Sequence, residues 1–246
     1  MDRMLYVAMT GAKQTLLAQA ANTHNLTNAS TIGFRADLEA FRAMPVYGPG
    51  HPSRVYAMAE RPGVDFSHGS ITQTGRELDV AVQGEGWIAV QAADGTEAYT
   101  RAGDLRVTAS GQLQTGAGHN VLGNGGPIAI QQSEKIEIGA DGTISIRPLG
   151  QAPTTLAVAD RIKLVKPPLA DLIKGADGLM RLKNNASVPA DETVRLSPGS
   201  LETSNVSAVE AMVNMITLSR QFEMQVKAMR GAEEIDQSAA QILRLN

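Results

Sequence analysis

The stretch that most constrains the chain is its C-terminal end, residues 201–246, which contains no proline and one glycine. Its apolar residues recur at helical steps: Val209, Met212 and Ile216, then Phe222, Val226 and Met229, then Ile235, Ala239 and Ile242. This spacing predicts one long amphipathic helix. Ser204, Asn205 and Ser207 can each accept a hydrogen bond from the free N–H groups of a first turn, and Glu210 follows Ser207 at capping-box spacing, so the helix is expected to start near residue 205. Roughly forty residues at about 1.5 Å rise make a rod on the order of 60 Å long, too long for one side of a compact domain of this size. Such a rod needs a partner along its stripe.

Residues 3–24 offer one. Leu5, Ala8, Met9, Ala12, Leu16 and Ala20 fall on one face at mixed three- and four-residue steps. Large apolar residues are few on both helices, and each contributes only about 1.5–3 kcal/mol when fully buried, so the pair alone is marginal against the entropy of ordering it. The termini are therefore expected to order fully only when other molecules add contact area.

A chain of 246 residues, 43% apolar and with net charge −3, has material for a real core in one or two folded units. Lysine and arginine are scattered and aromatics make up only 4%, which disfavours direct nucleic-acid binding. No cysteine is present, so disulfides, thiol catalysis and thiolate metal sites are excluded. Ala18-Gln19-Ala20 resembles a signal-peptidase site, but the preceding stretch is interrupted by Thr10, Gly11, Lys13, Gln14 and Thr15, so no cleaved signal is expected. No apolar run approaches the length of a membrane span, and no stable membrane insertion is expected.

Between the helices, residues 20–37 crowd asparagine, threonine and serine before Gly33-Phe34, which reads as a specified turn. Residues 44–70 hold four of the eleven prolines and read as an extended connector. From residue 76 the period becomes two: Leu78, Val80 and Val82; Ile88 and Val90; Leu105 and Val107; Ile128 and Ile130; Ile136 and Ile138; Ile144 and Ile146; Leu156 and Val158; Ile162 and Leu164. Asp94-Gly95, Ser110-Gly111, Asn124-Gly125 and Asp141-Gly142 supply hairpin turns between them. The expected fold class is α+β, with N- and C-terminal amphipathic helices pairing as a coiled-coil-like bundle and a hairpin-rich antiparallel β domain inserted between them. The expected segments are a helix and turn over 1–36, a connector over 37–75, the β domain over 76–185, a second connector over 186–204 and the long helix over 205–246.

Signals for chemistry are weak. His24, His51, His68 and His119 are isolated, without metal-ligand spacing. Gly84-Glu85-Gly86 and Gly123-Asn124-Gly125-Gly126 lead into no helix and lack phosphate-loop spacing, so they read as turns, and no cofactor fingerprint or nucleophile elbow is present. Asp79 and Glu85 are the nearest approach to a carboxylate pair, and nothing in the sequence makes them converge.

Three motifs carry a family resemblance. They are Asn22-Thr23-His24-Asn25-Leu26-Thr27-Asn28 through Thr31-Ile32-Gly33-Phe34-Arg35; Leu78-Asp79-Val80-Ala81-Val82-Gln83-Gly84-Glu85-Gly86-Trp87 followed by Tyr99-Thr100-Arg101-Ala102-Gly103; and Leu201-Glu202-Thr203-Ser204-Asn205-Val206 followed by Met212, Arg220 and Phe222-Glu223. In this order they resemble the signatures of the rod and hook proteins of the bacterial flagellum, and they span the chain from end to end. Thr27 and Ser30 stand where that family more usually has alanine and asparagine. The length, the one β domain and the opening Tyr6-Val7-Ala8-Met9-Thr10-Gly11 look most like its proximal-rod members.

The resemblance implies a non-enzymatic structural subunit of the proximal rod, assembling with copies of itself and other rod proteins through its terminal helices and carrying torque from motor to hook. It also implies passage through the flagellar export apparatus without a cleaved signal, and assembly in the periplasm. The residues expected at the assembly interface are Leu5, Ala8, Ala12 and Leu16 on the first helix; Asn25, Leu26, Asn28, Thr31, Gly33, Phe34 and Arg35 around the turn; Leu201, Glu202, Ser204, Asn205 and Val206 before the last helix; and Val209, Met212, Ile216, Phe222, Val226 and Met229 along it. A distal-rod or short hook-like subunit is an alternative. A more remote one is a cell-wall hydrolase using Asp79 and Glu85 as acid and base.

Overall fold

The computed structural model describes residues 4–45, 55–148, 150 and 156–244. The chain divides into two compact units, one built from the two ends of the chain together with residues 37–65, the other from residues 30–36 and 66–205.

In the first unit, helix α1 spans Met4–Thr27 and helix α2 spans Ala208–Arg244. Ser207 caps α2, its Oγ accepting from the Glu210 backbone N–H at 3.3 Å. Strands β1 (Asp37–Pro45) and β2 (Val55–Val64) pair antiparallel, with Phe41 opposite Ala59 and Met44 opposite Tyr56, and β2 also lies against α1. Residues 46–54 of the expected connector, and with them His51, lie outside the described residues.

The coiled-coil-like bundle is not what this unit forms. The residues that α1 buries are Ala8, Gly11, Ala12, Thr15, Ala18 and Ala21, all small, while Leu5, Met9 and Leu16 remain 39%, 53% and 49% exposed. A coiled-coil seam is made by large knobs entering holes. Here small side chains line the buried face instead, and a Cβ on Gly11 would sit 3.0 Å from the end of the Gln225 side chain. Helix α1 also divides its contacts between α2 and the hairpin, which a two-helix seam does not provide for. On α2, Ala211 and Ala232 are buried, whereas Val209, Met212, Val213 and Ile216 are more than half exposed.

In the second unit, a nine-stranded antiparallel sheet runs in the order Leu172–Lys174, Met180–Leu182, Glu97–Thr100, Trp87–Gln91, Asn120–Gly123, Leu113–Thr115, Leu105–Val107, with Gly126–Pro127 and Leu164–Val165 attached at its side. A three-stranded sheet, Ser133–Ile138, Thr143–Pro148 and Ala157–Arg161, accompanies it. Two short ladders complete it: Arg195–Pro198 on Val80–Gln83, and Ser200–Glu202 on Ile71–Gln73.

Alternation fills the core. Val80, Val82, Ile88, Val90, Leu105, Ile128, Ile130, Ile138, Ile144, Ile146, Ile162 and Leu164 form one buried cluster. Leu156 and Val158 differ, at 49% and 71% exposed, the second of them in the outermost strand of the three-stranded sheet. Gly95, Gly111 and Gly142 take positive φ as the hairpin turns require, while at 124–126 it is Gly126 that does so.

Candidate assembly surfaces

The signature residues of the β unit converge on one buried ionic node. Gly33-Phe34-Arg35 enters from the N-terminal motif, Trp87 from a strand of the large sheet, Arg101 from the residue that follows the Glu97–Thr100 strand, and Glu202 from the short ladder with Ile71–Gln73. Glu202 is 1% exposed; its Oε1 accepts from Arg35 NH2 at 2.5 Å and from the Gly69 N–H at 3.0 Å, and its Oε2 accepts from Arg101 NH1 at 2.9 Å. Arg101 also donates to the Gly84 carbonyl. Both guanidiniums lie over the Trp87 ring, 6.0 Å (Arg35) and 5.5 Å (Arg101) from its centroid, and Phe66 meets that ring edge-on.

Burial pushes the Glu202 carboxyl up, but the hydrogen bonds and charges of Arg101 and Arg35 outweigh it and hold the group below the ordinary glutamate value. Burial likewise lowers Arg101, opposed by its bond to Glu202.

Three residues along, Asn205 makes the neighbouring tie. Its Oδ1 accepts from the Ala36 N–H at 2.8 Å, its Nδ2 donates to the Ser67 carbonyl at 3.2 Å, and its own N–H donates to the Phe34 carbonyl at 3.3 Å. The Gly33 N–H donates to the Glu202 carbonyl at 2.8 Å. Gly33 has φ +67, and a Cβ there would lie 2.3 Å from the Arg101 carbonyl carbon, so the turn needs glycine for its backbone angle and for its space. Phe34 is 8% exposed, with Lys174 Nζ 3.8 Å from its ring centroid. Ala36, Phe66 and Asn205 end the segments of this unit, so the node gathers the ends of its chain.

The expected interface residues thus separate into two kinds. Arg35 and Glu202 are 1% exposed and Ser204 is buried, so they act by fixing the shape of the β unit; Leu201 and Asn205 are half-buried beside them. Arg101, which the sequence reading leaves outside the site, completes the node. The Tyr-Thr-Arg-Ala-Gly motif was its only sequence signal.

In the helical unit, Asn25 is a structural residue as well, exchanging two 2.9 Å hydrogen bonds with the backbone of Asp37, while Asn28 Nδ2 donates to the His24 carbonyl. Ala8 and Ala12 are buried against neighbouring elements, Leu26, Val206, Phe222, Val226 and Met229 are half-buried, and Thr31, in the turn of the β unit, is exposed. The outward-facing members are Leu5 and Leu16 on α1 and Val209, Met212 and Ile216 on α2, joined by Tyr6, Met9, Leu17 and Val213. Val209, Met212, Val213 and Ile216 follow i, i+3, i+4, i+7 spacing, so they form a stripe on one face of α2.

No group of residues suited to hold a metal occurs among the described residues. Asp79, 3% exposed, accepts from Thr74 at 2.7 Å and pairs with Arg76 at 3.3 Å, whereas Glu85 pairs with Lys166 at 2.9 Å, so the two carboxylates are engaged separately.

Comparison with known proteins meets the same motifs. The family described as flagellar basal body rod FlgEFG protein C-terminal matches residues 197–242, and that described as flagellar hook protein FlgE/F/G D1 domain matches residues 81–146. The flagellar basal-body rod protein FlgF of Salmonella typhimurium is 46% identical over the whole of both chains, and that of Escherichia coli is 45% identical over the same span. The chain belongs to the flagellar basal-body rod protein family. A rod protein of Bacillus subtilis named FlgG is 32% identical over 99% of this chain and 100% of its own. The first matched region supplies the Glu202–Asn205 ties and leads into α2, and the second supplies Trp87, Arg101 and much of the sheet. No helix among the described residues is long and apolar enough to cross a membrane.

Proposed function

We propose that this rod subunit is a non-enzymatic part of the proximal rod, joined to copies of itself and to other rod proteins through its terminal helices, and that it passes torque from motor to hook. The observation that carries this reading is the outward stripe Val209, Met212, Val213, Ile216, together with Leu5, Met9 and Leu16 on α1, on a chain whose β unit closes its own core. Apolar residues grouped on helical faces are surface that a neighbour covers. The FlgF relatives that are 45–46% identical over the whole of both chains support the proximal-rod reading. Copy number per basal body distinguishes proximal from distal rod, being low for a proximal component. Export through the flagellar apparatus without a cleaved signal, and assembly in the periplasm, complete the reading.

The test is Val209→Asp with Ile216→Asp, introduced at the chromosomal locus. Both positions are exposed, at 74% and 56%, so the purified chain should keep its stability within about 0.5 kcal/mol. Incorporation into basal bodies and swimming should be lost. Normal rods and motility in this strain would refute helix-mediated assembly.

A further inference from the structure

The node carries more positive charge than its one carboxylate answers. Arg35 and Arg101 are 1% and 3% exposed and share Glu202, and among the described residues neither Arg101 Nε nor Arg35 Nε and NH1 has an acceptor. Buried guanidinium N–H groups without acceptors are rare, and each calls for an anionic or polar oxygen.

Arg101 also lines a cavity of about 80 Å³ beside the node. Trp87 and Gly86 form its inner wall, Pro167 and Leu169 add apolar surface, and His68, Glu85 and Lys166 stand at its exposed side. Lys166 and Glu85, with side chains 47% and 62% exposed, pair at 2.9 Å, and His68 Nδ1 lies 3.2 Å from Arg101 NH1. Arg101 and Lys166 line this space with the Glu85 carboxylate, and Glu202 lies behind Arg101. A buried guanidinium, an exposed ammonium and an aromatic wall together suit a group that is negative at one end and carbon at the other.

We propose that this cavity binds a small carboxylate, its oxygens held by Arg101 and Lys166 and its carbon chain against Trp87. The ligand is a short free acid or the acidic side chain of an adjoining chain; both present the same group. Lys166 exchanges Glu85 for the incoming carboxylate, so Glu85 acts as a built-in competitor. The site lies in the β unit and does not depend on the helix-mediated assembly proposed above.

Trp87 is the chain's one tryptophan, so its emission reports on this cavity without interference. Sodium acetate is titrated into the purified full chain in place of sodium chloride at constant ionic strength. A saturable change in emission is expected. Lys166→Gln should weaken half-saturation by about tenfold or more, as for loss of one charge-assisted hydrogen bond, and Glu85→Gln should tighten it. Both substitutions are at exposed positions, so folding is retained. No saturable change, or a shift of the same sign in both variants, overturns the proposal whatever the rod phenotype. Carbodiimide treatment of isolated basal bodies then assigns the source. A Lys166 cross-link to another chain supports the acidic side chain, and a saturable acetate response with only the Lys166–Glu85 link supports a free acid.

Discussion

Arg35 and Glu202 are 167 positions apart in the sequence and meet at 2.5 Å, each side chain 1% exposed. One belongs to the turn after the first helix and the other to the strand before the last, so this pair fastens the two ends of the β unit's chain to each other. Its strength depends on both partners, because removing one leaves the other charge buried without compensation.

Glu202→Ala should therefore destabilise the β unit by about 3–5 kcal/mol, the usual range for breaking a buried pair. Glu202→Gln keeps the shape and tests the charge. Since the folded-state pKa of Glu202 is depressed, the stability it contributes is present above the unfolded value near 4.5 and is lost as pH falls through the lower folded value. Denaturant unfolding of the purified chain at pH 7 and at successively lower pH should show a smaller acid loss in Glu202→Gln than in the parent. Equal acid sensitivity would mean that other carboxylates set the acid limit.

At the alkaline end Tyr99 plays the opposite part. It is 0% exposed; its hydroxyl donates to Glu97 at 3.1 Å and accepts from the Val188 N–H at 3.1 Å. Burial, and then the Glu97 charge, push its pKa up to about 12. A raised folded-state pKa means that the stabilisation is whole below the unfolded value of 10.0 and drains away as pH rises toward 12. Ultraviolet titration should show one tyrosine ionising about two units after an unperturbed one, and Tyr99→Phe should remove that late step. Tyr99→Phe should also cost about 1 kcal/mol at neutral pH, for the Val188 N–H left without its acceptor.

How much of this was legible in the sequence depends on how local the cause is. Alternation along a strand is local, so Val80 and Val82, Ile88 and Val90, and Ile144 and Ile146 declare their buried face by period alone. Val158 obeys the same period yet is exposed, because the pattern names a face without saying that anything covers it. The helices show the same limit more sharply. Leu5, Leu16, Val209 and Ile216 have helical spacing, and that spacing suggested a coiled-coil-like seam; the seam within the chain is instead alanine, glycine and threonine, and the large residues face outward. Small residues carry little hydropathy signal, so close backbone approach is hard to see in sequence. The node was legible only as motifs. Nothing in either stretch says that Arg101 and Glu202, separated by 101 positions, are partners, because that pairing is made by the fold.

Two glycines separate space from conformation. Gly33 has φ +67, and a Cβ there would lie 2.3 Å from backbone of Arg101, which cannot yield without moving the node. The left-handed conformation alone costs a β-carbon residue of order 1–3 kcal/mol, and the overlap adds to it. Gly33→Ala should therefore lower the stability of the β unit by at least about 2 kcal/mol, read by denaturant unfolding followed through Trp87 fluorescence. Gly11, within α1, meets only the end of the Gln225 side chain, at 3.0 Å, which can swing aside. Alanine is better than glycine inside a helix by about 0.8–1 kcal/mol, so Gly11→Ala should leave α1 equally or more protected against hydrogen exchange. Gly11→Leu has no such latitude, since its branched side chain would part α1 from α2. If close approach of these helices matters to rod assembly, swimming should survive Gly11→Ala and fail with Gly11→Leu; equal motility in both strains would show that the seam tolerates separation.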